Sequence, residues 1–111
     1  MAEQKEADAS KRVHVLAAIF IKEDKVDEFM AAVTPCVQLT NQEKGCITYN
    51  CHQDVSDKTK FVMIEEWESK QLLEAHLQSE HVKQLIEASK TLQSKDAVIT
   101  VYSPPLIALK K

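Results

Sequence analysis

Apolar residues along this chain follow two different spacings, and the spacings predict strands and helices in alternation. Short, nearly continuous runs rich in β-branched and aromatic residues predict strands. Longer segments in which apolar residues recur every three or four positions predict helices after Asp24 and after Ser69, and the second either continues or restarts from His81. The four predicted strands are Val13–Ile21, Cys46–Gln53, Phe61–Trp67 and Ala97–Tyr102.

Residues with special backbone or capping preferences set the expected boundaries of these elements. Asp24 and Ser69 are suited to cap the two helical regions. Pro35 lies inside the first helical pattern, where it should kink or restart the helix near residue 34. Gly45, the only glycine, is expected to form the turn out of that helix. The polar tract Asp54–Lys60 is expected to close a hairpin.

The resulting order, β-α-β-β-α-β, predicts an α+β fold of the ferredoxin-like type, with a four-stranded antiparallel sheet. Such a sheet needs only one apolar face, because both helices pack on the same side. The strands are apolar on both faces, as Val15 and Leu16 illustrate in the first strand and Met63 and Ile64 in the third. The second face therefore predicts a homodimer in which two sheets pack against each other.

The chain divides by composition into one domain and two short ends. Residues 13–103 form the expected domain, residues 1–12 a polar, disordered leader, and residues 104–111 an apolar tail that could reach the partner subunit. The net charge of −3 argues against a nucleic acid partner. The longest apolar run, Val15–Ile21, is too short to span a membrane, so a cytoplasmic location is expected.

The three cysteines, Cys36, Cys46 and Cys51, have no CxxC spacing, which argues against a disulfide framework or a zinc site. Strict alternation places Cys46 and Cys51 on opposite faces of one strand. Gly-rich phosphate loops, HExxH and GxSxG are absent from the sequence. Their absence weighs against a nucleotide cofactor and against a nucleophilic hydrolase.

The segment from Phe61 to His81 gathers the side chains best suited to chemistry. Glu65 and Trp67 share one strand face, and His76 lies on the apolar side of the following helix. A buried carboxylate needs a partner, and His76 is the nearest candidate for Glu65. His76 could equally be a core histidine satisfied by its surroundings, and Trp67 a plain core residue.

Two segments resemble the antibiotic biosynthesis monooxygenase family. Glu43-Lys44-Gly45-Cys46-Ile47-Thr48-Tyr49 is similar to its E-P-G-C-x-x-Y segment, and Glu65-x-Trp67, His76 and Ser79-Glu80-His81 are similar to its E-x-W, H and (T/S)-P-H segment. The resemblance covers about residues 13–103. It implies a dimeric α+β barrel and a pocket at the matching positions, which are Tyr49, Glu65, Trp67, His76 and His81.

Members of that family include small quinol or polyketide monooxygenases that use dioxygen without metal, flavin or haem, and others degrade haem or isomerise a phosphorylated sugar derivative. This chain departs from the pattern at Asn41, Lys44 and Glu80, where the family often has Arg, Pro and Pro. The haem-degrading branch has an Asn in the first strand, and Val13–Ile21 contains none.

The resemblance and the residues together suggest a cofactor-independent monooxygenase that acts on a small quinol or polyphenol. His76 would be the general base, with Glu65 orienting it. The substrate-binding residues would be Tyr49, Trp67, His81, Met63 and Leu72. The alternatives are an isomerase or lyase acting on a small carbonyl compound, and a non-catalytic binding barrel whose interior is filled by Met63, Trp67 and Leu72.

Overall fold

The structure, a computed structural model, describes residues 8–107. Two 3-10 turns, Ala9–Lys11 and Glu23–Lys25, accompany the main elements. The strands are β1 (Val13–Ile21), β2 (Cys46–Gln53), β3 (Lys60–Trp67) and β4 (Gln93–Tyr102), and the helices are α1 (Val26–Thr40), α2 (Lys70–Leu77) and α3 (Glu80–Leu92).

The four strands form one antiparallel sheet in the order β2-β3-β1-β4. This is the predicted α+β, ferredoxin-like arrangement, and the prediction is confirmed. The helices cover one face of the sheet, because the inward residues of β1 and β3 are buried together with apolar residues of all three helices. The helical contribution to this core is Phe29, Val33, Cys36, Leu73, Val82 and Leu92.

The opposite face of the sheet is apolar and exposed, and we call it the outer face. Leu16 of β1 lies directly opposite Ile64 of β3, and Val98 of β4 lies opposite Ala18. Leu16, Ile64 and Val98 are 40%, 43% and 58% exposed. The two-faced pattern predicted from the sequence is therefore present, and the described residues of the chain cover only one of the two faces.

The expectations that Asp24 caps α1 and that the helix restarts at Pro35 are wrong. Asp24 lies within the Glu23–Lys25 turn, and the residue before α1 is Lys25, whose side chain forms no capping hydrogen bond. Pro35 lies inside a single helix that runs from Val26 to Thr40. Val33 and Cys36 on either side of Pro35 are both buried. Packing of this face against the sheet outweighs the hydrogen bond that proline cannot donate.

Other local expectations are confirmed. Gly45 has φ +86°, and Asp54 N donates to Lys60 O at 2.9 Å across the hairpin. The Ser69 side chain accepts a hydrogen bond from Leu72 N and caps α2. The fourth strand begins at Gln93 rather than Ala97, because α3 passes into it without a loop and Gln93 pairs with Ile21.

The strict alternation assumed for β2 fails at its start. Cys46 pairs with Trp67, but the register shifts between Cys46 and Thr48. Residues directly opposite each other in an antiparallel pair project to the same face. Cys46 therefore shares the helix-facing side with Trp67, and Cys51, which pairs with Met63, projects to that side as well. The prediction that Cys46 and Cys51 face opposite sides is wrong.

The ends predicted from the sequence are described only in part. Residues 1–7 of the expected leader and residues 108–111 of the expected tail lie outside the described residues. Within the rest, Ala9–Lys11 form a 3-10 turn, and Leu106 and Ile107 are exposed. Among residues 8–107, every helix is too short or too polar to cross a bilayer.

Candidate active site

One carboxylate oxygen joins two histidines at one end of the helical layer. Nδ1 of His76 lies 2.9 Å from Oε2 of Glu43, and Nε2 of His81 lies 2.6 Å from the same oxygen. We call these three residues the Glu43 cluster. Their donor atoms all lie within 4.8 Å of one another. Such a set can exchange protons or bind a metal ion.

The break between α2 and α3 brings the two histidines together. In a continuous helix, residues five positions apart differ by about 140° around the axis and diverge. Here α2 ends at Leu77 and α3 begins at Glu80, so His76 belongs to the last turn of one helix and His81 to the first turn of the next. Their ring centroids lie 6.3 Å apart.

A close contact at Gly45 holds the Glu43 turn against α2. A Cβ atom built on Gly45 would lie 2.5 Å from Cδ1 of Leu72, which is closer than real Cβ atoms come to other atoms. The positive φ of Gly45 also disfavours other residues there. The turn is tied further by Gly45 O, which accepts from Glu68 N at 2.9 Å. Both the close approach and the backbone conformation therefore favour glycine at position 45.

His76 is enclosed by aromatic rings. Its ring centroid lies 4.6 Å from that of Trp67 and 5.2 Å from that of Tyr49, and the residue is only 3% exposed. Burial lowers the pKa of His76, and the hydrogen bond to Glu43 opposes that change in part. The lowered pKa favours the neutral imidazole, the form that can accept a proton.

Glu65 does not partner His76, so that expectation is wrong. Its Oε1 accepts a hydrogen bond from Nε1 of Trp67 at 3.0 Å. The two residues are two positions apart on one strand face, so the indole N–H reaches the carboxylate directly. Burial raises the pKa of Glu65. The partner of His76 is Glu43, 33 positions earlier in the chain.

Tyr49 has an unusual partner for its hydroxyl group. The hydroxyl lies 3.7 Å from Sγ of Cys36, which is also 3.8 Å from Oγ1 of Thr40. Burial raises the pKa of Tyr49 above its ordinary value. Tyr49 also pairs with Glu65 across β2 and β3, which places the phenol beside the Glu65–Trp67 pair. The phenol therefore remains protonated and available as a hydrogen-bond donor.

The remaining predicted pocket residues lie at different depths. Trp67 and Met63 are fully buried in the core. Leu72 is partly buried against Gly45. Leu77, in the last turn of α2, is exposed. The structure therefore brings together Tyr49, Trp67, His76 and His81, whereas Met63 lies further along β3, opposite Cys51.

A groove of about 230 Å³ runs between α1 and α3, and His81 of the Glu43 cluster is one of its lining residues. His81 is its only titratable imidazole, and Cys36 lies on the wall that also contacts Tyr49. The other lining residues are Ala32, Pro35, Leu39, Gln84, Leu85 and Ala88. Glu43 and His81 each retain 18% exposure of the side chain. They connect the buried His76 with the surface.

Glu43 is the functional candidate that reasoning from spacing missed. It lies in a polar turn, where acidic residues are ordinarily solvated. The available signal was its position as the first residue of the E-x-G-C segment, directly before the glycine turn.

Comparison with known proteins shows the family of the chain. The family model described as "Antibiotic biosynthesis monooxygenase" matches residues 12–88. The Synechocystis protein named "Uncharacterized protein sll1783" is 30% identical over 94 residues, which are 85% of this chain and 64% of that protein. This chain thus spans less than two thirds of that relative.

Two further relatives agree with the family model. The Bacillus subtilis protein named "Putative monooxygenase YcnE" is 28% identical over 78 residues, which are 70% of this chain and 82% of that protein. A crystal structure described as an antibiotic biosynthesis monooxygenase superposes with a TM-score of 0.80 at 29% identity, covering 84% of this chain and 98% of the other. Because the family model matches more than half of the chain, the chain belongs to the antibiotic biosynthesis monooxygenase family.

Proposed function

We propose that this protein is a monooxygenase that acts on a small, electron-rich aromatic such as a quinol or polyphenol. The observation that carries the proposal is the Glu43–His76 hydrogen bond beneath the rings of Tyr49 and Trp67. A carboxylate can only accept a hydrogen bond, so Nδ1 of His76 carries the proton that faces Glu43. The neutral ring then has its lone pair on Nε2, where it can act as a general base.

The chemistry requires a proton to leave the substrate before oxygen can react. Removing the phenolic proton raises the electron density of the ring, and the substrate can then pass an electron to dioxygen itself. In this proposal no separate cofactor supplies electrons. Glu43 replaces Glu65 as the residue that orients His76 and stabilises the imidazolium that forms. Trp67 and Tyr49 would flank the aromatic ring, and His81 would lie at the entrance from the α1–α3 groove.

Oxygen uptake with and without His76 tests this proposal. Wild-type protein should consume dioxygen in proportion to added quinol, and His76→Ala should lose about 100-fold or more of that rate, the usual contribution of a general base. Gln78→Ala, an exposed change beside the same helix end, should behave like the wild type. A His76→Ala protein that is folded and oxidises the quinol at the wild-type rate would rule out the assigned role.

The proposal includes a homodimer formed through the outer face of the sheet. Leu16 and Ile64 lie directly opposite each other there, and Val98 lies opposite Ala18, so exposed apolar residues extend over three strands. Apolar surface of this kind on one whole face of a sheet supports association with a second copy. The second sheet would also shield the strands that carry Glu65 and Trp67.

The burial of two predicted pocket residues favours a second candidate, a non-catalytic binding barrel. Met63 and Trp67 are fully buried and fill space that a substrate would otherwise use. Under this alternative, aromatic compounds would bind in the α1–α3 groove and oxygen uptake would not depend on them. The same oxygen-uptake experiment, combined with a binding titration of the quinol, separates the two candidates.

A further inference from the structure

We propose that the Glu43 cluster binds one divalent first-row transition metal ion, with Zn²⁺ as the reference ion. Its donors are Oε2 of Glu43, Nδ1 of His76 and Nε2 of His81, all within 4.8 Å of one another. Two imidazole nitrogens with one carboxylate oxygen are the ligand types preferred by Zn²⁺, Fe²⁺, Ni²⁺ and Cu²⁺. The inference does not rest on the proposed function, because binding itself is measured. A metal ion on Nδ1 would leave the ring proton on Nε2 of His76, so metal binding and the proposed base role exclude each other.

The donors can accept one ion after a modest outward movement of the side chains. In a tetrahedral site, an ion about 2.1 Å from each donor requires donor atoms about 3.4 Å apart. The distance from Nδ1 of His76 to Oε2 of Glu43 is 2.9 Å, so this pair must open by about 0.5 Å. The distance from Nε2 of His81 to the same oxygen is 2.6 Å, so the His81 ring must move outward by about 0.8 Å. His81 belongs to the first turn of α3, and its side chain is partly exposed.

Metal binding would also replace the two hydrogen bonds that His76 and His81 both make to Oε2 of Glu43. Both imidazoles direct a nitrogen at one carboxylate oxygen, so both nitrogens must carry a proton to donate to it. A divalent ion replaces both protons and places positive charge beside the carboxylate. Oγ of Ser79, 3.3 Å from Nε2 of His81, is near enough to hydrogen-bond a water molecule that completes the coordination.

The three ligands come from three separate segments, which makes the site depend on the fold. Glu43 is supplied by the turn after α1, His76 by the end of α2 and His81 by the start of α3. The other two histidines, His14 and His52, both lie on the outer face of the sheet. Binding at the Glu43 cluster can therefore be distinguished from adventitious binding to surface imidazoles.

Calorimetric titration of the whole chain with Zn²⁺ at pH 7.5 provides the test. We expect one site per chain, with Glu43→Gln and His81→Ala weakening it by about tenfold or more, a loss that even outer-shell changes can cause. The double variant His14→Ala/His52→Ala should retain wild-type affinity. Wild-type affinity in Glu43→Gln, or loss of the site in the double variant, would overturn the proposal.

Two further measurements distinguish binding at the Glu43 cluster from misfolding of a variant and from binding to cysteine thiols. Excess Zn²⁺ should raise the Tm of the wild type and of His14→Ala/His52→Ala by more than that of Glu43→Gln, which keeps the shape of the glutamate. Co²⁺ should give visible bands typical of nitrogen and oxygen ligands. A thiolate-to-cobalt charge-transfer band would instead assign the ion to a cysteine and contradict the proposal.

Discussion

Oε2 of Glu43 and Nδ1 of His76 lie 2.9 Å apart although 33 residues separate them in the chain. The contact links the turn before β2 to the last turn of α2, and it fixes the ring of a histidine that is almost fully buried. A charge-assisted hydrogen bond in such surroundings is stronger than one between neutral groups. It is the structural basis for assigning Glu43 a positioning role.

Replacing Glu43 with Gln should slow the proposed reaction without changing substrate affinity. The amide keeps the side-chain shape but cannot stabilise an imidazolium as a carboxylate does. We expect kcat for quinol-dependent oxygen uptake to fall by about tenfold or more, part of the contribution of a general base, with KM nearly unchanged. Steady-state kinetics measure both values. Glu74→Gln, an exposed change of the same type on α2, is the matched control.

A different result would remove Glu43 from the mechanism. If Glu43→Gln keeps the wild-type kcat while Glu74→Gln does too, the hydrogen bond to His76 has only a structural role. A rise in KM alone would assign Glu43 to substrate binding instead.

Gly45→Ala should destabilise the fold. The new Cβ would meet Cδ1 of Leu72 at 2.5 Å, and φ +86° is unfavourable for alanine. Strain and overpacking together should cost about 3 kcal/mol in the free energy of unfolding. Urea denaturation followed by circular dichroism measures this loss.

A double-mutant cycle separates the two causes of that loss. In Gly45→Ala/Leu72→Ala the steric contact is removed, so the two changes should be non-additive by about 1 kcal/mol or more. If the two changes in the free energy of unfolding simply add, the Leu72 side chain is not what excludes a side chain at residue 45.

The fold could be predicted from the sequence because local patterns determine most of it. β1 has the predicted bounds, Ser69 caps α2, and Gly45 has the positive φ expected of a turn glycine. Each of these depends on residues close together in the chain. Pro35 is the exception, because burial of the helix face against the sheet decided the outcome there rather than local backbone preference.

The candidate site could be predicted only in part because its contacts are long-range. Trp67 and His76 come from adjacent elements of one segment, and their proximity followed from the strand-to-helix pattern. Glu43 contacts His76 across 33 residues of chain, and no spacing in the sequence reveals that contact. The face assigned to Cys46 was wrong because a register shift in β2 is invisible to simple alternation.

Alkaline pH should destabilise the protein through Cys51. Burial raises the pKa of this thiol to about 11 from an ordinary value of 9.0. Between these two values the unfolded chain releases the thiol proton and the folded chain retains it, so the free energy of unfolding falls as pH rises. Below pH 9 the thiol is protonated in both states and contributes no slope.

Urea denaturation at several pH values between 8 and 11 measures this slope. Cys51→Ala should show a shallower decline than the wild type, whereas Thr48→Ala, an exposed change in the same strand, should leave the slope unchanged. Equal slopes in the wild type and Cys51→Ala would show that the thiol ionises equally well in both states.

Ile64→Lys should separate the proposed dimer into monomers. Ile64 lies opposite Leu16 at the centre of the outer face, and a lysine there would place an unpaired charge between two apolar sheets. The dissociation constant should rise by about 100-fold or more for a cost of several kcal/mol. Sedimentation equilibrium measures the change.

Val55→Lys in the hairpin turn, where the valine is fully exposed, makes the same chemical change away from the outer face and should leave association intact. A wild-type chain that sediments as a monomer at micromolar concentration would contradict the proposed interface, and equal weakening by both lysine variants would attribute the effect to charge alone rather than to the outer face.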